Sequence, residues 1–296
     1  MQNVLSFVKD IPVLMKTYLS VRVFEDIYQL IAIRCKRMTK LFPIEVHVVE
    51  HCNLNCRGCN HFSCIAEEGF LDLEAFEKDF GRLAEISKKY FAIKILGGEP
   101  LLHPQITKFF DIARSHFPTT RIQITTNGIL LPGKDEEFWN NCKKNRIVIS
   151  VSQYPIKLDK KTINGLGKKY GVKIEYTGSS DPDRMCKLPI DLSGSQDIEK
   201  SFRKCAISWG CCVTLRDGKL FTCCIVAHSR FFNEYFKQNL EVGEHDYVDI
   251  YKVKNREEII DFLQKPFPFC RYCNTSETRF GQRWEVSAKD ITEWVD

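Results

Sequence analysis

The spacing of apolar residues along the chain changes near residue 42. Before that point, within residues 4–33, apolar positions recur at helical spacing, which predicts one or two amphipathic helices. Charged residues interrupt this stretch too often for a bilayer span, so we expect no transmembrane segment. We expect these helices to pack on the protein's own core. A helix that binds a membrane surface or a partner is the alternative.

Beyond residue 42, short β-branched runs alternate with segments of helical periodicity. The predicted strands are residues 44–49, 92–96, 121–126, 147–151 and 172–176, and the predicted helices are residues 74–89, 105–117, 136–144 and 160–170. This alternation predicts an α/β fold with a parallel sheet covered by helices. In such sheets, and in barrels closed from them, chemistry takes place at the carboxyl ends of the strands.

After about residue 178 the alternation ends. Residues 179–201 are polar and predict a linker or an excursion over the active face. An Asp-Gly turn between residues 212–215 and 219–223 predicts a hairpin, and helices are predicted over residues 257–263 and near residues 284–294. The expected domains are an N-terminal helical extension (1–42), an α/β core (43–178) and a linker with a small α+β domain (179–296).

The charge of the chain is unremarkable, but its cysteine content is not. Its 296 residues include 43 Lys and Arg and 38 Asp and Glu, giving a net charge of +5 without long runs, so no nucleic-acid partner is implied. Fourteen cysteines occur with no secretory leader before them. We expect metal-binding thiols in a reducing, cytoplasmic compartment. A disulfide protein that lacks its leader is the alternative.

Three cysteines follow the first predicted strand closely: Cys52, Cys56 and Cys59. Three thiolates this close together on one loop are able to bind a single inorganic centre. A 4Fe–4S cluster ordinarily has four cysteine ligands, so three close ligands leave one iron open to bind a substrate. A zinc site and chance clustering are the alternatives that the spacing leaves open.

The C-x3-C-x2-C spacing, together with Gly97-Gly98-Glu99-Pro100 after the second predicted strand, resembles the radical S-adenosylmethionine (radical SAM) superfamily. The resemblance covers roughly residues 43–176 and implies a partial (β/α)6 TIM-like barrel. It implies that Cys52, Cys56 and Cys59 are the catalytic cluster ligands, while the amino and carboxylate groups of S-adenosylmethionine chelate the fourth iron. It also implies that Gly97, Gly98, Glu99 and Pro100 receive the methionyl ammonium. A valine at Gly98 is therefore expected to weaken cofactor binding and leave iron content intact.

Further contacts to S-adenosylmethionine are implied by the same resemblance. The residues at the positions of ribose and methionyl carboxylate contacts are Thr126, Asn127, Ser150 and Ser152. An ordinary Asn-Gly turn and ordinary strand hydroxyls are the alternatives. Family members usually carry an aromatic residue before the third cysteine, where this chain has Gly58. We therefore expect His61 or Phe62 to pack against adenine instead.

A second group of cysteines lies in the C-terminal third of the chain. It consists of Cys205, Cys211, Cys212, Cys223, Cys224, Cys270 and Cys273. The spacing from Cys205 through Gly218 to Cys223 resembles the hairpin of SPASM or twitch extensions of radical SAM enzymes, and Cys270 and Cys273 add a C-x2-C pair. The resemblance implies one auxiliary 4Fe–4S cluster held by Cys205, Cys223, Cys270 and Cys273, hence a twitch-like domain. Zinc on the same ligands, and Cys212 in place of Cys205, are the alternatives.

The resemblance also implies a reaction. A reduced cluster cleaves S-adenosylmethionine, and a 5'-deoxyadenosyl radical takes hydrogen from a small molecule; the electrons come from a flavodoxin- or ferredoxin-type donor. The substrate that the resemblance favours is a sugar, sugar nucleotide or polyol, which is oxidised, dehydrated or epimerised. Modification of a ribosomally made peptide, and a non-catalytic iron–sulfur electron-transfer protein, are the alternatives.

Some residues have no clear role in this scheme. A spare thiol such as Cys186 or Cys211 would make the enzyme an epimerase if it donated hydrogen to a substrate radical. His47 is expected to be a core residue, and His103 and His228 are candidates for substrate contact.

Overall fold

The computed structural model describes residues 42–205 and 213–295. The predicted N-terminal helices, as well as Cys211 and Cys212, lie outside the described residues.

Ten strands and seven α-helices make up the described part of the chain. The strands are β1 (Ile44–Val49), β2 (Ala92–Gly97), β3 (Arg121–Thr126), β4 (Val148–Gln153), β5 (Lys173–Gly178), β6 (Met185–Lys187), β7 (Val213–Arg216), β8 (Lys219–Phe221), β9 (Val248–Asp249) and β10 (Arg279–Gln282). The helices are α1 (Leu73–Ile86), α2 (Ile106–His116), α3 (Glu136–Lys144), α4 (Lys160–Tyr170), α5 (Ile198–Lys204), α6 (Cys224–Phe236) and α7 (Arg256–Leu263).

The main sheet has eight strands in the order β5-β4-β3-β2-β1-β7-β8-β9 and is not closed. Strands β1 to β5 pair in parallel, each with its neighbour along the chain. The other edge of β1 pairs in parallel with β7, and β8 and β9 then continue the sheet antiparallel. The α/β fold is therefore confirmed, and the hairpin predicted near residues 212–223 extends the same sheet as the parallel strands.

The helices begin where the sequence supplies capping side chains. Asp72 Oδ1 accepts hydrogen bonds from the first backbone N–H groups of α1, and Asp135 and Asp159 cap α3 and α4 in the same way. The helix α4 ends at Gly171, whose left-handed conformation (φ 67°) is the usual end of a helix at glycine. The predicted helix boundaries were therefore close to the observed ones.

The two faces of the sheet differ in polarity. Isoleucines 93, 95, 122, 124 and 149 are fully buried in the core formed with aromatic residues of α1 and α2. Polar side chains alternate with them on the opposite face, where Lys94 bonds Glu45 at 2.9 Å and Arg121 bonds Glu175 at 2.6 Å. Because strands β1 to β5 all end at one edge, this polar face is suited to a polar ligand there.

One expectation for the C-terminal part was wrong, and one helix was missed. The polar stretch 179–201, expected to be a linker or an excursion, contains the short strand β6 and the first residues of α5. The helix α6 was missed because most of its residues are buried, so its amphipathic pattern is weak. The helix predicted near residues 284–294 is absent; only Ile291–Glu293 forms a 3-10 turn. The backbone before that turn bonds to residues 55–57 rather than to its own preceding turn.

In residues 42–205 and 213–295, no helix has the length and apolar character that crossing a membrane requires.

Candidate active site

Cys52, Cys56 and Cys59 lie on the loop that follows β1 at the carboxyl edge of the sheet. Burial raises the pKa of the Cys52 thiol to about 11 and that of Cys56 to about 12, and it raises the pKa of Cys59 as well. Cys59 contributes to the raised pKa of Cys52, and Cys59 and Cys52 contribute to that of Cys56. The folded chain therefore brings the three sulfurs together, and they are protonated in the absence of a metal.

Residues 284–294, which we call the C-terminal strap, cover the cysteine loop. The backbone of the strap pairs with the loop: Arg57 N donates to Glu285 O (2.9 Å), and Ser287 N donates to Asn55 O (2.8 Å). Two indoles add to this contact, since Trp284 Nε1 donates to Cys56 Sγ (3.2 Å) and Trp294 Nε1 donates to Cys59 O (2.9 Å). The strap thus orients the loop and donates a hydrogen bond directly to a candidate ligand.

The strap also explains the glycine that replaces the usual aromatic residue. Gly58 has φ +62°, and a Cβ on it would lie 3.0 Å from the Glu293 carbonyl oxygen. An aromatic side chain is therefore excluded both by backbone conformation and by space. Of the two residues expected to pack against adenine, Phe62 is fully buried against Phe232 and Trp294, so His61 is the alternative that stays a prediction.

Gly97 and Gly98 pack against the start of the cysteine loop. A Cβ on Gly97 would lie 2.4 Å from Val49 O, and one on Gly98 would lie 2.0 Å from His51 O and 2.8 Å from Cys52 N. Gly98 N donates to Val49 O at 2.8 Å. Both glycines are thus needed for the end of β2 to lie this close to the end of β1.

Glu99 is a fully buried carboxylate whose hydrogen bonds join two strand ends. It accepts hydrogen bonds from Leu101 N (3.0 Å), Thr126 Oγ1 (2.7 Å) and Asn127 N (2.9 Å). Burial raises its pKa, while these three hydrogen bonds act in the opposite direction. A carboxylate has about four acceptor positions, so one remains for a ligand such as an ammonium group.

The other residues with an implied cofactor role lie at the same edge of the sheet. Asn127 Nδ2 donates to Asn53 Oδ1 at 2.7 Å, which ties the end of β3 to the cysteine loop. Ser150 is buried on β4 with its Oγ 3.4 Å from Thr177 Oγ1, and Ser152 follows it on the same strand. Pro100 begins a 3-10 turn after Glu99.

Tyr154, which the sequence analysis did not single out, lies close to this group. Burial raises the pKa of its phenol, and the nearby thiols of Cys56, Cys59 and Cys52 and the carboxylate of Glu99 raise it further. A tyrosine directly after a strand end was the available signal. The aromatic ring near the cysteines is therefore supplied by the end of β4.

The second cysteine group also converges. Burial raises the pKa of Cys270 to about 12, and the neighbouring Cys223 and Cys205 contribute to the shift. Burial raises the pKa of Cys273, with further contributions from Cys223, Cys205 and Cys270. Cys223 is the N-cap of α6, where its Sγ accepts a hydrogen bond from Ile225 N at 3.3 Å. A helix N-terminus stabilises a thiolate, which favours metal ligation there.

Two of the histidine expectations need correction. His103 has both ring nitrogens engaged by the backbone, with Gln105 N donating to Nδ1 (3.0 Å) and Nε2 lying 3.2 Å from Leu71 O, so it is a structural residue. His228 is fully buried in α6 and packs on His47, with ring centroids 3.9 Å apart.

Residues 46–168 match the family model of the Radical SAM superfamily. GTP 3',8-cyclase from Chlorobaculum tepidum is 34% identical over 88 residues, which cover 30% of this chain and 26% of that protein. GTP 3',8-cyclase from Sulfurovum sp. is 33% identical over 92 residues, which cover 30% of this chain and 28% of that protein. The chain thus matches little more than a quarter of the length of these curated relatives.

Among solved structures, BtrN in complex with AdoMet and 2-DOIA is 20% identical to this chain with a TM-score of 0.49. The alignment covers 80% of this chain and 94% of BtrN.

A radical SAM domain implies a 4Fe–4S cluster and S-adenosylmethionine as cofactors. The residues of this chain fit that group. Three thiols on one loop provide the ligands, and burial raises the pKa of each. Glu99 accepts three hydrogen bonds and keeps one acceptor position.

Proposed function

We propose that the chain is a radical SAM enzyme acting on a small molecule, because residues 46–168 match the Radical SAM family model. Cys52, Cys56 and Cys59 hold the cluster, and Gly97 to Pro100 receive the methionyl group. One observation carries the proposal: Asn127 N donates to the Glu99 carboxylate (2.9 Å), and Asn127 Nδ2 donates to Asn53 Oδ1 (2.7 Å), next to Cys52. This supports a cofactor-binding carboxylate beside the cluster ligands.

A cluster held by Cys52, Cys56 and Cys59 would supply the electron for reductive cleavage of S-adenosylmethionine. The protein positions the groups and excludes water from them. Gly97 and Gly98 offer backbone carbonyls to the methionyl ammonium, and Glu99 offers its remaining acceptor position. Thr126 and Asn127 hold the Glu99 carboxylate in place, in addition to the polar contacts expected from them. Tyr154 and the C-terminal strap shield the thiols from solvent.

The substrate that we propose is a sugar, sugar nucleotide or polyol. The polar face of the sheet supports this, since charged and hydroxyl side chains of β1 to β5 line it: Glu45, Lys94, Arg121, Ser150 and Glu175. Such a face suits a hydroxylated substrate better than an apolar one. The curated relatives are named for a reaction of GTP, and a nucleotide-linked sugar shares that chemistry. A peptide substrate remains the second candidate.

We further propose one auxiliary 4Fe–4S cluster on Cys205, Cys223, Cys270 and Cys273. The mutual effect of these thiols on one another's pKa supports it. Four protein ligands leave no iron open, so this cluster would pass electrons between the substrate and an external flavodoxin- or ferredoxin-type partner.

Iron analysis of anaerobically reconstituted protein tests both assignments. We expect about eight irons in the wild type, since each cluster contributes about four. The triple variant Cys52→Ala, Cys56→Ala, Cys59→Ala should keep about four, as should the double variant Cys270→Ala, Cys273→Ala. Cys142→Ala, which alters a buried core thiol, is the matched control and should keep the full iron content. Unchanged iron in the triple variant would refute the assignment.

Incubation with dithionite and S-adenosylmethionine then separates an enzyme from an electron carrier. An enzyme forms 5'-deoxyadenosine, and a non-catalytic carrier forms none. With deuterated sugar nucleotides, polyols and peptides, we expect deuterium in 5'-deoxyadenosine only from a carbohydrate. Transfer from the peptide alone would overturn the substrate class.

A further inference from the structure

Three histidines from three separate segments meet beside the candidate active site. His47 is on β1, His61 follows the cysteine loop and His228 is in α6. The ring of His47 lies 3.9 Å from that of His228 and 4.5 Å from that of His61, measured between centroids. His47 is 6% exposed and His228 is 0% exposed. The radical SAM proposal assigns no role to this buried histidine group.

Several ring nitrogens in this group have no hydrogen-bond partner within the described residues. They are Nδ1 and Nε2 of His47 and Nε2 of His228. A buried polar atom without a partner costs about 1–3 kcal/mol, so three in one place are rarely retained in a native protein. His228 Nδ1 lies 2.7 Å from Cys224 O, and as a donor to that carbonyl it leaves Nε2 with its lone pair. These nitrogens therefore indicate a missing ligand.

Glu50 completes a donor set with the two histidines. One ligand atom from each of His47, Glu50 and His228 lies within 4.8 Å of the other two. Two neutral imidazoles and one carboxylate are a common set for divalent transition metals. The hydrogen bond between His228 Nδ1 and the Cys224 carbonyl is of the kind that typically orients a metal-binding histidine.

The two arginines around Glu50 both oppose metal binding and help to position its carboxylate. Arg216 binds its carboxylate with two hydrogen bonds of 2.6 and 3.2 Å, and Arg230 approaches at 3.4 Å. These cations oppose binding of a dication, yet they also fix the carboxylate, which keeps acceptor positions beyond those used. Burial lowers the pKa of both His47 and His228, so the imidazoles are neutral, as metal ligation requires.

A small cavity adjoins the donor set. It has a volume of about 30 Å³ and is lined by two members of the set, His47 and Glu50, but not by His228. Its other lining residues are polar (Asp79, Arg216, Asp217) and apolar (Val46, Leu71, Phe76, Leu215). A cavity needs about 10–15 Å³ to hold one water molecule, so there is room beside the ligands for a coordinated water or a substrate oxygen.

We propose that His47, Glu50 and His228 bind one divalent transition-metal ion, separate from both iron–sulfur clusters, with at least one coordination position open toward this cavity. The site does not depend on the radical SAM proposal, because its ligands include no cysteine.

Zinc binding to the reconstituted full-length protein, with its clusters loaded, provides the test. We expect isothermal titration to detect one zinc ion per chain, and crystals soaked in zinc to give an anomalous peak at the zinc edge between His47 and His228. His47→Gln and His228→Gln should each weaken binding at least about tenfold. His61→Gln is the matched control, since it alters the neighbouring ring and should leave affinity unchanged.

Two results would overturn the proposal. One is a zinc-edge map of the wild type with no peak at these three residues. The other is equal loss of affinity in His61→Gln. Iron content and far-ultraviolet circular dichroism report whether each variant has folded. If a histidine variant fails to fold, Glu50→Gln and the wild-type map decide the question.

Discussion

Removing the hydrogen bond from Trp284 to Cys56 should lower the reduction potential of the N-terminal cluster. Trp284 Nε1 donates to Cys56 Sγ at 3.2 Å. In Trp284→Phe the aromatic ring is retained and the N–H is lost. A hydrogen bond to a cluster sulfur favours the reduced state, because that state carries one more negative charge. The variant should therefore be harder to reduce.

The size of the shift follows from hydrogen-bond energies. Bonds to charged acceptors are worth about 0.5–1 kcal/mol more than bonds to weaker ones. If the hydrogen bond is stronger by this amount in the reduced state, its removal lowers the reduction potential by about 20–45 mV, since 59 mV corresponds to a tenfold change for one electron. Iron content should stay at the wild-type value because no ligand is changed.

A redox titration followed by electron paramagnetic resonance, on protein whose auxiliary cysteines are replaced, measures the potential of this cluster alone. Trp139→Phe is the matched control: its indole is buried in α3, and its Nε1 has no hydrogen-bond partner in the part of the chain that the structure describes. A potential that is unchanged or raised in Trp284→Phe would refute the reasoning, as would an equal shift in both variants.

Three further predictions concern the same edge of the sheet. Gly98→Val should lose iron from the N-terminal site as well as cofactor affinity, contrary to the expectation from sequence, because its Cβ would lie 2.8 Å from Cys52 N. Gly133→Ala, where nothing lies within 4 Å, is its control, and full iron in Gly98→Val would contradict the prediction. Glu99→Gln should reduce the free energy of unfolding of the apoprotein by about 2–4 kcal/mol, because the amide NH2 of glutamine would face one of the three buried donors. Urea titrations measure this loss, and a loss below about 1 kcal/mol would count against the prediction. Since burial raises the pKa of Cys52 to about 11, its alkylation in the apoprotein should accelerate with rising pH. The expected increase is about tenfold per unit up to about pH 10 by mass spectrometry, because only the thiolate reacts; a rate that levels off near pH 9, as for an ordinary thiol, would exclude the raised pKa.

Local sequence patterns predicted the parallel half of the fold well. Capping residues such as Asp72 and Asp135, and the β-branched runs between them, act over a few residues, so they can be identified without the rest of the chain. The helix α6 was missed for the opposite reason. Its first six residues, Cys224 to Ser229, are all buried by tertiary packing, so the first half of the helix lacks the polar face on which sequence analysis depends.

The residues of the candidate site likewise fall into those that the sequence identified and those that only the tertiary structure placed there. The sequence by itself determined the cysteine triplet and the glycine pair, because each is a short motif at the end of one strand. Only the tertiary structure decided what surrounds them: the strap that crosses the loop, Tyr154 beside the thiols, and the meeting of His47 with His228. Trp284 and Cys56 are 228 residues apart. A contact over that distance depends on the path of the whole chain, so no local period or spacing encodes it.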